Sequence, residues 1–210
     1  MKSIRIEAIA SLIDKDAYIL DIGTDHAYLP IYLYNNHITN KIIASDISDK
    51  VLESSFNNLK KYSLDKNILL IKSDGFTNIN YDIDTAVIAG MGASTIIRII
   101  ENASKLPNTI IISSHNDQEL IRKYMNSINY KIDKEIVIKD NNIYYVIIKY
   151  IKGNEILTDE EILFGKSNNK EYLNYLLNYY QDLYNKSHKI IYKEYVLTIE
   201  KKLSLMSVSH

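Results

Sequence analysis

The sequence predicts a doubly wound α/β fold: a mostly parallel sheet with an antiparallel edge hairpin, followed by a small helical hairpin of coiled-coil character. Three observations carry this. Between residues 17 and 113, five short apolar runs alternate with helix-patterned segments, the pattern of strand–helix–strand units. Residues 131–139 and 143–150 are β-rich runs around the polar turn Asp140-Asn141-Asn142, a hairpin signal. Beyond Gly153 strand alternation stops, and Leu173, Leu176, Leu177, Tyr180, Leu183 and Tyr184 recur at three- and four-residue intervals. The division is therefore drawn between a sheet domain, 1–152, and a helical hairpin, 153–210.

The elements follow in order. Ile6, Ile9, Ala10 and Ile13 place a short amphipathic helix within 3–13, packing on the sheet edge. A strand at 17–22 leads through Asp21-Ile22-Gly23-Thr24-Asp25-His26-Ala27-Tyr28-Leu29-Pro30 into a helix over 28–36, with Pro30 tolerated in its first turn. The strand at 41–45 ends in Asp46. Ser48 or Asp49 caps a helix to about Tyr62 whose inner face is Val51, Leu52, Ser55, Phe56 and Leu59. Strands at 67–73 and 85–89 end in Asp74-Gly75 and Gly90-Met91-Gly92. A helix over 94–104 and a strand at 109–113 follow, and Asp117 caps a helix to about Ser127. Tyr192, Tyr195, Ile199 and Leu203 continue the last stripe after Ser187-His188, giving two antiparallel helices or, alternatively, one long helix that dimerises. The terminal segment 204–210 has no pattern and is expected to fray.

Composition narrows the classes. The chain has 210 residues, 25 basic and 26 acidic side chains, and no cysteine, which excludes a disulfide scaffold and a thiolate metal site. Near-neutral charge gives no sign of a nucleic-acid partner. The N-terminal segment is interrupted by Glu7 and Asp14 and reads as a surface helix, not a signal peptide. The lack of cysteine gives no sign of an oxidising compartment, so a cytoplasmic protein is expected. No apolar run reaches membrane-spanning length, so a soluble protein with no membrane partner is expected. The abundance of Tyr, Ile, Asn and Lys matches an AT-rich genome and is given no functional weight. His37, His188 and His210 are scattered, and no metal site is expected.

The chemistry concentrates where the strands end. In an open parallel sheet ligands bind beyond the carboxyl ends, where the strand order reverses. The residues there are Asp21, Gly23 and Asp25, then Asp46 with Ile47, Asp74 with Gly75, Gly90-Met91-Gly92, and His115-Asn116. A dinucleotide fold wants three glycines in its first turn; here Gly23 stands alone between two carboxylates, which repel a phosphate and suit a cation. S-adenosylmethionine, carrying a sulfonium and an ammonium, fits better. Asp46 is placed to accept both ribose hydroxyls. Asp74 is placed to accept from the adenine amino group, with Gly75 clearing space for the ring.

Asp21 to Pro30, the Asp46 strand end, Asp74-Gly75, Ile88-Ala89-Gly90-Met91-Gly92 and the hairpin with Tyr144 together resemble the bacterial tRNA (adenine(22)-N1)-methyltransferase family. The resemblance covers most of the first 150 residues and extends to the helical hairpin. It implies a Rossmann-like domain that uses S-adenosylmethionine to methylate ring nitrogen 1 of an adenosine in the D-arm region of tRNA. It also implies that Asp25 is the catalytic residue. The chain departs from the family pattern at Ala93, His115 and Tyr145.

The physical reading of the residues agrees with that role. Methylation of ring nitrogen 1 leaves a cationic base, and a carboxylate beside the exocyclic amino group opposes the charge or accepts the proton. The base must leave its stack, so an aromatic or apolar shelf is expected among Met91, Tyr28 and Tyr144. His26 and Asn116 are further substrate-contact candidates, although His26 equally suits a structural cap. A monomer is expected, with a dimer through the C-terminal helices as the alternative. Two rival functions are a non-catalytic RNA-binding scaffold, distinguished by cofactor binding without transfer, and a nicotinamide oxidoreductase, disfavoured by the missing glycines and distinguished by NADH titration.

Overall fold

The computed structural model describes residues 3–208; Met1, Lys2, Ser209 and His210 lie outside it. Contacts divide the chain into two compact units, Met1–Ile156 and Leu157–His210. The first unit holds a seven-stranded sheet. Its strands are β1 (Ile19–Ile22), β2 (Ile42–Asp46), β3 (Leu69–Lys72), β4 (Thr85–Met91), β5 (Thr109–Ser114), β6 (Tyr130–Asp140) and β7 (Ile143–Lys152). They run in the order β3-β2-β1-β4-β5-β7-β6. The order reverses between β1 and β4, which pair in parallel from Ile19 with Thr85 to Ile22 with Ile88.

Continuous apolar runs dictate a covered parallel sheet, and every residue of β1 and β5 is buried. Helices α1 (Ile4–Ala10), α2 (Tyr28–Asn35) and α3 (Asp49–Lys61) share one core with Ile19, Ala44, Val87, Ile111 and Ile147. Helices α4 (Ala93–Glu101) and α5 (Gln118–Ser127) bring a second apolar set, including Ile96, Ile99, Ile100, Ile121 and Met125. Helix α1 is shorter than its pattern. Ile13 is buried just beyond it, and the helix packs on α2 and on the β6–β7 end of the sheet.

The hairpin closes the sheet with a twist on the expectation. Asn141 and Asn142 both have positive φ, 48° and 63°, as a tight two-residue hairpin turn requires. Only β7 runs against the other strands, and it lies one in from the edge; β6, antiparallel to β7, is the edge strand. The hairpin is tied to α5 by Arg122 and Glu135, whose side chains are 1% and 0% exposed. The guanidinium donates twice, Nε to Oε2 at 3.2 Å and Nη2 to Oε1 at 3.0 Å.

Three sequence expectations are corrected here. Phe56 is 40% exposed, with Lys60 Nζ 4.4 Å from its ring centre; the buried face of α3 is Ser55 and Leu59. Phe56 lies one helical step, about 100°, from Ser55 and so turns out of the core. Asp117 occupies the cap position of α5 but has φ 50° and makes no side-chain cap bond. The terminal segment is helical to Val208, so the predicted fraying does not occur over 204–208; the remainder of that segment lies outside the described residues.

The second unit contains a short helix the periodicity did not mark, α6 (Asp159–Phe164), and the hairpin of α7 (Lys170–Ser187) and α8 (Ile190–Val208). Thr158 and Glu161 form a reciprocal capping box at the start of α6. His188 has φ 54° and reverses the chain, so the alternative of one uninterrupted helix is excluded. The buried Phe164 ring packs between Tyr180 and Tyr195, centroids 6.2 and 5.9 Å away.

The Arg122–Glu135 pair gives a stability prediction. Glu135→Ala strips a buried guanidinium of its bidentate carboxylate and should cost about 3–5 kcal/mol in urea unfolding. Replacing both partners together by Met and Leu should recover most of that loss.

Candidate active site

The first strand delivers its turn to the point of strand reversal, and the turn is built from left-handed residues. Gly23, Asp25 and Ala27 have φ values of 75°, 51° and 57°. The N–H groups of Gly23 and Thr24 both donate to the Ser45 carbonyl of β2, at 2.9 and 3.1 Å. From α3, Ser55 Oγ donates to the Asp25 carbonyl and Asn58 Nδ2 to the His26 carbonyl at 2.7 Å. Ser54 Oγ lies 2.7 Å from His26 Nδ1. Helical spacing does not mark these three α3 side chains as site residues; a serine at position 55, inside an apolar stripe, is the available signal.

The two carboxylates of the turn face different surroundings. Asp21 is 6% exposed and accepts from Thr24 Oγ1 at 2.7 Å. Burial pushes its pKa up from 3.8 to about 6; the Thr24 bond opposes this, and the charge of Asp46 adds to it. Asp25, with 74% of its side chain exposed, projects from the turn, Oδ1 3.5 Å from His26 Nε2. The His26 ring in turn leans on Tyr28, centroids 5.4 Å apart.

The neighbouring strand ends complete the edge. Asp46 Oδ1 accepts from the Ser48 N–H at 2.9 Å, and Ile47 beside it is 61% exposed. Asp74 pairs with Arg98 Nη1 at 3.2 Å. A Cβ on Gly75 would lie 2.7 Å from Ile99 Cγ2, so its missing side chain lets α4 pack beside Asp74.

Strand β4 does not stop at Ala89. It runs on to Met91 through a register shift, with Gly90 at φ 79° as the irregular residue, a bulge beside the site. The space where a Gly90 Cβ would stand is open to 4 Å, whereas a Cβ on Gly23 would collide with the Met91 methyl. Met91 therefore lies directly over the acidic turn. Gly92 starts α4, whose Ala93 N–H donates to Asn116 Oδ1 at 3.3 Å. Asn116 thus has a structural duty at this edge. Tyr144 belongs to a different part of it: Ile112 of β5 pairs with Ile148, so the earlier β7 residues extend past the carboxyl end of β5. There Tyr144 sits cross-strand from Lys139, whose Nζ is 5.2 Å from its ring centre.

A doubly wound sheet with carboxylates rather than a glycine-rich phosphate loop at its reversal point defines a methyltransferase domain. The chain matches the family model described as a methyltransferase domain over residues 2–148. It is 32% identical over 168 residues, 77% of this chain and 76% of the relative, to a protein of Mycoplasma genitalium named provisionally as a tRNA methyltransferase. It is 30% identical over 148 residues, 69% of this chain and 62% of the relative, to the tRNA (adenine(22)-N(1))-methyltransferase of Bacillus subtilis. Among solved structures, it is similar to the M. capricolum TrmK complex with S-adenosyl-homocysteine, with TM-score 0.85, 33% identity and both chains covered fully. The chain belongs to the bacterial tRNA (adenine(22)-N1)-methyltransferase family.

The raised pKa of Asp21 makes stability pH-dependent. Its folded value, about 6, lies above the ordinary 3.8, so the folded chain holds this proton more tightly. No penalty exists below about pH 4. As pH rises through 6, ionisation should cost the fold about 3 kcal/mol. Urea midpoints should fall over this range in the wild type and not in Asp21→Asn; equal slopes would remove the assignment.

Proposed function

We infer that this chain transfers a methyl group from S-adenosylmethionine to ring nitrogen 1 of adenosine 22 in tRNA. The observation that carries the reading is the acidic turn: Gly23 between buried Asp21 and exposed Asp25, at the reversal of strand order. The edge fits the cofactor. Its open glycine, Gly90, permits close approach to the main chain, and its carboxylates suit hydroxyls and cationic groups. In this proposal Asp21 and Gly23 hold the methionyl end, Asp46 the ribose and Asp74 the adenine amino group. Gly75, which shapes the edge by admitting Ile99, supports the Asp74 turn. Ile47, Gly90, Met91 and Gly92 flank the ring and thioether.

When bound, S-adenosylmethionine supplies a methyl carbon on a positively charged sulfur. The lone pair of adenine nitrogen 1 forms a bond to that carbon as the carbon–sulfur bond breaks, its electron pair leaving with sulfur. The base becomes cationic. Asp25 opposes the charge, or accepts the exocyclic amino proton and leaves the base neutral. His26, fixed by Ser54, orients that carboxylate. Tyr28 supplies a stacking face, and Tyr144 and Asn116 are assigned to substrate contact further along the edge.

The setting and assembly follow the same reading. A tRNA substrate places the chain in the cytoplasm. Among the described residues, no helix is long and apolar enough to cross a membrane. The mutual burial of α7 and α8 around Phe164 supports a monomer, which light scattering on the purified chain would check.

The deciding measurement is incubation with labelled S-adenosylmethionine and unmodified tRNA, followed by nucleoside mass spectrometry. N1-methyladenosine is the expected product; a different methylated nucleoside would overturn the target. Asp25→Ala should lower transfer at least about a hundredfold with cofactor affinity retained. Transfer at the wild-type rate would remove Asp25 from the chemistry.

A further inference from the structure

A groove of about 310 Å³ runs along α2, in the same unit as the acidic turn. Its walls include Tyr28, Tyr32 and Asn35 of α2, Ile6 and Glu7 of α1, and Tyr62 just beyond α3. From Tyr28 to Asn35 the helix rises roughly 10 Å. One end of the groove therefore lies three residues beyond Asp25, and the other recedes toward the opposite edge of the sheet. The volume is at the small end for ligand pockets, about 300–1,000 Å³, and suits one nucleoside better than two.

We propose that this groove receives one unstacked nucleobase of the tRNA, the neighbour of the adenosine being methylated. The inference rests on the functional reading above and names what the substrate does next to the target base. The adenine itself must lie beside Asp25, next to the methyl donor. The groove leads away from that point, so it takes a neighbour. Its lining matches a base in kind. Three tyrosines offer ring faces for stacking, which is how single-stranded RNA is held, and Glu7 and Asn35 can pair with base-edge donors and acceptors. Tyr28 is 36% and Tyr62 45% exposed, so both rings are reachable.

Charge decides which part of a nucleotide enters. Among the described residues no basic side chain lines the groove, and Glu7 repels a phosphate. Lys60 and Lys61 are exposed and directly precede Tyr62 in the chain, outside the lining. A base inside with its phosphodiester along those lysines satisfies both signs.

The test is steady-state methylation of tRNA by Tyr62→Ala and Tyr62→Phe, with cofactor affinity measured by calorimetry. Losing one stacked base should raise the tRNA KM about tenfold in Tyr62→Ala. Turnover at saturating tRNA and cofactor affinity should stay within about twofold, and Tyr62→Phe should restore KM. An unchanged KM in Tyr62→Ala beside an active wild type overturns the groove proposal alone. Ultraviolet cross-linking of the wild-type chain to tRNA gives an independent readout. Adducts on Tyr32, Asn35, Asn36 or Tyr62 support the proposal, and adducts confined to Tyr28 or to residues outside the groove overturn it. Cross-links joining two copies of the chain at the groove residues would assign the groove to self-association and overturn it as well. A wild type that forms no N1-methyladenosine would sink the functional reading, and the cross-linking result would still decide the groove.

Discussion

Everything at the reactive edge depends on holding three left-handed residues within five positions. Glycine adopts such a conformation freely, but Asp25 and Ala27 each resist it by about 1–2 kcal/mol. One local bond, from the Ala27 N–H to the Thr24 carbonyl at 2.9 Å, supplies only part of the compensation. The rest comes from Ser45 on β2 and from Ser55 and Asn58 on α3, whose hydrogen bonds capture the backbone groups of this turn. The consequence runs from packing to chemistry. Because Leu59 anchors α3 in the core, the serine and asparagine on the adjacent turns arrive at fixed positions. The Asp25 carboxylate is then presented outward by a backbone that has no cheap alternative.

The electrostatics of the edge follow from that geometry. Asp21 is pulled into the protein by the strand that carries it and is satisfied there by Thr24, whereas Asp25 is displaced into solvent by the next turn of chain. Two carboxylates four residues apart thus stand in opposite settings: Asp21 is buried and resists ionisation, and Asp25 faces solvent. Asp74 is partly neutralised by Arg98, so negative charge is concentrated on the β1 and β2 side. An edge of this kind distinguishes a cationic cofactor from a pyrophosphate without a dedicated selectivity device.

The centre of the sheet was legible in the sequence because β1, β2, β5 and the first half of β4 are buried on both faces and therefore read as unbroken apolar runs. The same saturation hid finer features. Helical spacing put Ser55 and Phe56 together on the inner face of α3, but only Ser55 is drawn in, by the backbone of a distant turn. That Gly75 also admits Ile99 was not readable, because Ile99 comes from another helix and no local pattern announces it. The continuation of β4 through Gly90 was obscured because glycine ordinarily marks a stop, while here it marks a bulge. Helix α6 could have been found from Thr158 and Glu161, a capping signature that needs no tertiary context. Among the candidate site residues, those on the first turn were readable from charge and spacing. The α3 side chains that support them were not, because their partners are backbone carbonyls some thirty positions earlier.

The placement of β7 has a consequence for how the chain is made. A nascent polypeptide that has reached Asn142 already contains β5, whose isoleucines are fully buried in the finished protein and whose outer edge can be paired only by a strand not yet synthesised. Until residues 143–152 emerge, that edge is an open template of the sort on which chains aggregate. The helical unit comes later still and adds nothing to the sheet. Premature termination is therefore far more hazardous inside the β6–β7 hairpin than after it.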